Sequence, residues 1–183
     1  MNIIENHLTV NQFSRPGYKI PIVKGIIMHW VANPMTSAKA NRDFFENRKD
    51  GKSGYGSAHY IIGLDGEIIE CIPDSEVAYH VGTDKKDPES GKIYTNWCRT
   101  IAGKSVPNWC FLGIELTHLN WEGSFSEATL IAASELVSKL LKKHKLTVDC
   151  IGTHQMVVGW KDCPRLWVND PDLFEHWKRG IAI

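Results

Sequence analysis

At 183 residues, with 43% hydrophobic and 23% charged, the chain can bury one sizeable core and is too short for a second full domain. Lysine plus arginine equals aspartate plus glutamate at 21 each, so no net field holds nucleic acid or an anionic membrane by charge alone. No apolar run approaches the ~18 residues of a membrane span, and the N-terminal stretch lacks the basic and apolar regions of a secretory signal, so a soluble chain made in the cytoplasm is expected.

The block KGIIMHWVAN, bounded by Pro21 and by Asn33-Pro34, predicts a short buried strand with His29 near its C-terminal end. TSAKANRDFFENRKDG then carries Ala38, Asn41, Phe44 and Phe45 at helical spacing, with Gly51 as a stop. In SAHYIIGLDGEIIECI two β-rich runs, 58–62 and 67–72, meet through Asp65-Gly66, a dipeptide that tolerates the positive φ of a tight hairpin. Residues 82–108 are polar and rich in Gly, Pro, Lys and Asp. A connection of that length is expected to be a functional or mobile loop, and Trp97 and Trp109, in or beside it, are candidates either to stack on sugar or to pack the loop down.

FLGIELTHL resumes the strand pattern. SFSEATLIAASELVSKLLKKH predicts a helix opened by a Ser124-x-x-Glu127 capping box, with Leu130, Ala133, Val137, Leu140 and Leu141 along one face and Lys142, Lys143 and His144 where the dipole favours cations. A short strand over 150–153 leads into THQMVVGWKDCPR, and NDPDLFEHW opens a last helix with Asp170 as N-cap and Pro171 at its first position. Strands interleaved with helices, plus one hairpin, predict a single α/β domain with a central mixed sheet flanked by helices.

Five cysteines, Cys71, Cys98, Cys110, Cys150 and Cys163, form no compact framework and read as reduced thiols. Histidine nitrogen and cysteine thiolate are zinc donors, and a catalytic zinc site keeps three protein ligands with one position open. His29, His154 and Cys163 fit that inventory, although their spacing alone does not distinguish them from core residues. Glu115, between Ile114 and Leu116 on an apolar strand, is expensive to bury without employment. His118, three residues on, falls on the opposite face of an extended strand and is expected to be structural.

Four contexts in order, IIMHW, SAHYIIGLDG, NWCFLGIEL and THQMVVGWKDCPR, resemble the type 2 N-acetylmuramoyl-L-alanine amidases. That zinc family includes phage and prophage endolysins and the peptidoglycan recognition proteins. The likeness spans about residues 20–168, within a domain taken as 1–183. It implies Zn2+ held by His29, His154 and Cys163, and Glu115 as general base on water. Lys161 is implied as the oxyanion donor, with His80 of YHVG lining the site and His59 beside the hairpin as a packing or supporting residue. Ala58 stands where one branch has a tyrosine base, which places the base role on Glu115. Eight residues after His154, the step found in many members, lands on Asp162, and nine lands on Cys163. The Lys-x-Cys-Pro register favours Cys163, with Asp162 as the alternative.

The activity so implied is cleavage of the bond between N-acetylmuramic acid and L-alanine in bacterial peptidoglycan by a monomeric endolysin that acts on the wall after release from the host cytoplasm. No separate wall-binding domain is visible in the sequence. A non-catalytic peptidoglycan-binding module and a metal-free Cys163–His154 hydrolase are the competing readings.

Overall fold

Strand Gly25–Trp30 (β2) is buried along its whole length, which requires partners on both edges and cover on both faces. The computed structural model, which describes residues 2–182, supplies both. Ile3–Glu5 (β1), β2, Tyr60–Ile62 (β3), Ile68–Glu70 (β4), Phe111–Leu116 (β5) and Ile151–Thr153 (β6) form one six-stranded sheet in the order β1-β4-β3-β5-β2-β6. Strands β3, β5, β2 and β6 are parallel; β4 is antiparallel to β3 and parallel to β1. The sheet is therefore mixed, with the hairpin where Asp65-Gly66 places it and Gly66 at φ 80°. Strand β1 at the edge has no apolar signature of its own and was not anticipated in the sequence.

Side-chain alternation divides the core. Ile26 and Met28 of β2 and Leu112, Ile114 and Leu116 of β5 face one way, against Ala133, Leu136, Val137, Leu140 and Leu141 of helix Glu127–His144 (α3). Helices Arg165–Asn169 (α5) and Pro171–Arg179 (α6) add Trp167 and Phe174 to the same cluster. Each such side chain, fully buried, contributes about 1.5–3 kcal/mol. The opposite face carries two smaller clusters. Ala38 and Phe45 of helix Ala38–Asn47 (α1) pack on Ile61 and Ile69, while Cys98 and Ala102 of helix Asn96–Ala102 (α2) and Val157 and Val158 of helix His154–Val158 (α4) pack on Ile27 and Phe111.

Two expectations are corrected. Residues 82–108 are not a plain loop, because Thr95 caps α2 by accepting from the Cys98 N–H at 3.1 Å. Helix α3 is capped by Ser126 rather than Ser124: the Ser126 hydroxyl accepts from Thr129 N–H at 3.0 Å, so Glu127 is the first helical residue and no capping box forms. Ser124 is held instead by the Asn120 side chain, which accepts from its N–H and donates to its hydroxyl. Asp170 caps α6 with Pro171 at its first position, as the sequence predicts.

Candidate metal centre and its cleft

Strand register pairs His29 of β2 with Glu115 of β5, and paired residues on neighbouring strands project from the same face. An imidazole and a carboxyl group thus stand side by side on the face away from α3, at the C-terminal ends of parallel strands where open α/β sheets place their ligands. On the other edge of β2, pairing with β6 ends at Met28 opposite Thr153. Thr153 there caps α4, so His154 begins that helix beside His29, their ring centroids 4.7 Å apart. The chain then loops back: Gln155 N–H donates to the Cys163 carbonyl at 3.1 Å, and Cys163 Sγ lies 3.7 Å from His29 Nδ1. One donor atom from each of His29, His154 and Cys163 falls within 4.8 Å of the others, and all three residues are buried.

Asp162 is outside this group. Its carboxylate accepts from Arg165 Nε at 2.8 Å and is half-exposed. The same guanidinium covers the Trp30 ring and donates to the Trp121 carbonyl, which ties Asp162 to the rim. Of the two residues that counting leaves open for the third position, the fold gathers Cys163.

A chain of hydrogen bonds sets the imidazole tautomers. His80 Nε2 can only donate to the Phe111 carbonyl, 3.0 Å away, so its Nδ1 carries the lone pair. That lone pair accepts from His29 Nε2 at 3.0 Å, which leaves His29 Nδ1 unprotonated on the side of Cys163. Asn108 fixes the segment that carries His80, accepting from the His80 and Val81 N–H groups at 3.1 and 2.9 Å. Gly113 makes room for the ring, since a Cβ there would stand 2.6 Å from the imidazole. His59 is buried nearby as a packing group: its Nδ1 accepts from Gly113 N–H and its Nε2 donates to the Glu76 carbonyl.

Burial keeps these imidazoles neutral. It holds His29 and His80 well below the ordinary histidine value, with neighbouring imidazoles adding to the effect, and brings His59 to about 4 and His154 to about 3. Burial, reinforced by Glu115, pushes the Cys163 thiol far up. Two nitrogen lone pairs and one thiol that a cation would deprotonate are a donor set that suits zinc. Glu115 is pushed up to about 8 by burial, against the pull of Lys161, and its Oε2 is buried without a hydrogen-bond partner. All these groups except His59 line one open cleft of about 650 Å³, with Lys161 at its exposed wall.

Three sequence candidates lie elsewhere or act otherwise. Trp97 packs against Gly152 and Phe111 within the α2 cluster, so it holds residues 82–108 down rather than lining the cleft. Trp109 stacks on Tyr18, centroids 5.4 Å apart, also outside the cleft lining. His118 is buried, its ring on Trp30 and its Nδ1 bonded to the Asn120 carbonyl, a structural role. The four remaining cysteines are free, three of them buried. Sequence reasoning missed Asn108, although the turn sequence SVPNW marks a chain reversal there.

Comparison with known proteins agrees with this geometry. Residues 18–166 match the family described as N-acetylmuramoyl-L-alanine amidase. A probable N-acetylmuramoyl-L-alanine amidase of Bacillus licheniformis is 36% identical over 99% of the chain, and the amidase CwlL of the same species 33% over 99%. The chain spans 47% of the length of each, about half. A solved mutant endolysin from Bacillus subtilis superposes with a TM-score of 0.73 at 25% identity, covering 99% of both chains.

Proposed function

Because this chain belongs to the N-acetylmuramoyl-L-alanine amidase family, we propose that it is the catalytic domain of a phage or prophage endolysin, cleaving the amide between N-acetylmuramic acid and L-alanine in bacterial peptidoglycan. The observation that carries the reading is the gathering of His29, His154 and Cys163 beside a buried, unpartnered carboxyl oxygen of Glu115 in an open cleft. Zinc held by the three donors would polarise the amide carbonyl and lower the pKa of water toward ~7.

The chain's own groups do the rest. Glu115, in the carboxylate form that Lys161 and a bound cation would favour against burial, takes the proton of the attacking water and returns it to the departing nitrogen. Lys161 donates to the oxygen on which negative charge develops. His80 holds the His29 ring in the tautomer that frees Nδ1. A monomer suffices, because every group named comes from one chain. Among the described residues no helix is long and apolar enough to cross a membrane.

Zinc-loaded protein incubated with purified bacterial walls should release new alanine amino termini, and chelator should abolish that release. Wall binding without release would instead establish a non-catalytic module, and chelator-resistant, thiol-reagent-sensitive release a cysteine hydrolase.

A further inference from the structure

The cleft wall built by α1 carries a cation that no carboxylate among the described residues neutralises. Arg48 opens the 3-10 turn Arg48–Asp50 that follows α1, and it lines the same cleft as His29 and Glu115. Its guanidinium lies against the Phe44 ring, Cζ 4.7 Å from the centroid. On another side it lies against Gly56, where an added Cβ would come within 3.1 Å of Cζ. Nη1 donates to the Ser53 carbonyl at 2.6 Å and to those of Gly54 and Tyr55 at 3.3 Å. Ring, backbone and carbonyls together fix the plane of the fork before any ligand arrives.

The other side of that fork is unused. Among the described residues no hydrogen bond takes Nη2, which is the donor an arriving ligand can reach, while Nε, also without a partner, is buried against Gly56. No carboxylate among the described residues pairs with Arg48, whereas Arg42 on α1 is paired with both Asp43 and Glu46. Partial burial disfavours the charge and lowers the pKa of Arg48, so an anion arriving at the cleft wall would restore interactions that the fold withholds. A planar guanidinium with donors to spare suits a carboxylate.

We propose that Arg48 is a specificity-determining residue that binds a carboxylate of the substrate's stem peptide. The inference rests on the amidase reading. On the peptide side of the scissile amide, the first anionic group is the α-carboxylate of the D-glutamate that follows L-alanine. Cell walls present that group either free or as the neutral amide, and Arg48 favours the free form.

The test compares two muramyl peptides that differ only in this group, N-acetylmuramoyl-L-alanyl-D-glutamate and its D-isoglutamine counterpart, each with the γ-carboxyl blocked as its methylamide, with wild type, Arg48→Gln and Arg48→Lys. Wild type should prefer the free acid by about tenfold or more in kcat/KM, through KM, the range of a charged hydrogen bond. Arg48→Gln should bring that ratio to about one, by raising KM for the free acid more than for the amide. Arg48→Lys, which keeps the charge without the fork, should retain part of the preference. Equal cleavage of both peptides by wild type would overturn the proposal. So would an Arg48→Gln variant that slows both peptides equally, the signature of a purely structural role. If zinc-loaded wild type cleaves neither peptide, the amidase reading falls, and dissociation constants for the same pair decide: tighter binding of the acid that Arg48→Gln removes supports the proposal, and equal binding overturns it.

Discussion

The two faces of the sheet obey different rules. Toward α3, Ile26, Met28, Leu112, Ile114 and Leu116 meet aliphatic partners, and pattern, burial and packing agree. On the opposite face the intervening positions of the same strands are Ile27, His29, Gly113 and Glu115, and around them are buried His59, His80 and His154. Burying polar groups disfavours folding unless each is bonded, and most here are, through the Phe111 and Glu76 carbonyls and the Gly113 N–H. Glu115 Oε2, in the cleft beside His29, is buried without a partner. One strand can therefore serve stability on one side and gather titratable groups on the other.

The contrast can be broken at either face. Glu115→Gln should cut wall hydrolysis by about 10²- to 10⁴-fold, the usual range for a general acid–base, with little loss of folding stability, read by lysis rate and denaturant melts. Leu136→Ala, beneath α3, should do the reverse: about 2–5 kcal/mol of stability lost in urea unfolding, with hydrolysis per folded molecule unchanged. His80→Ala should weaken zinc affinity by about 10- to 100-fold in competition with a chromogenic chelator, because His29 loses the partner that fixes its tautomer.

The smallest effect lies on the outer surface of α1. Partial burial alone would raise the pKa of Glu46, but hydrogen bonds from Lys49 and Thr9 and the charge of Arg42 outweigh it and hold the group at about 2, below its ordinary 4.5. A depressed pKa stabilises the fold above the unfolded value, and that stability is lost as pH falls from about 4.5 through about 2. Glu46→Gln should lower stability near neutrality and flatten its dependence on pH between about 4.5 and about 2, with the two proteins converging below that window, as read from unfolding midpoints at stepped pH.

Legibility in the sequence followed local periodicity. Strands β2 and β5, the hairpin and the apolar face of α3 each declare themselves within ten to twenty residues. Helix α2 did not, because it buries only Cys98 and Ala102 and shows no stripe amid polar neighbours. The cap of α3 was misplaced because two serines compete, and the Asn120 side chain, which binds Ser124, decides between them. His29, Glu115, His154 and Cys163 were legible only as an ordered set of motifs. What decides between Cys163 and Asp162 is Arg165 drawing Asp162 to the rim, a contact no counting supplies. Trp97 was open for the same reason: its partner Gly152 is distant in sequence.

Metal content tests the central assignment most directly. Wild type, Cys163→Ser and Asp162→Asn, each purified and exposed to zinc, should be measured for bound metal and for wall hydrolysis. About one zinc per chain and full hydrolysis are expected for wild type and Asp162→Asn, with both lost in Cys163→Ser. A Cys163→Ser protein that keeps its zinc, or an Asp162→Asn protein that loses it, would contradict the site described.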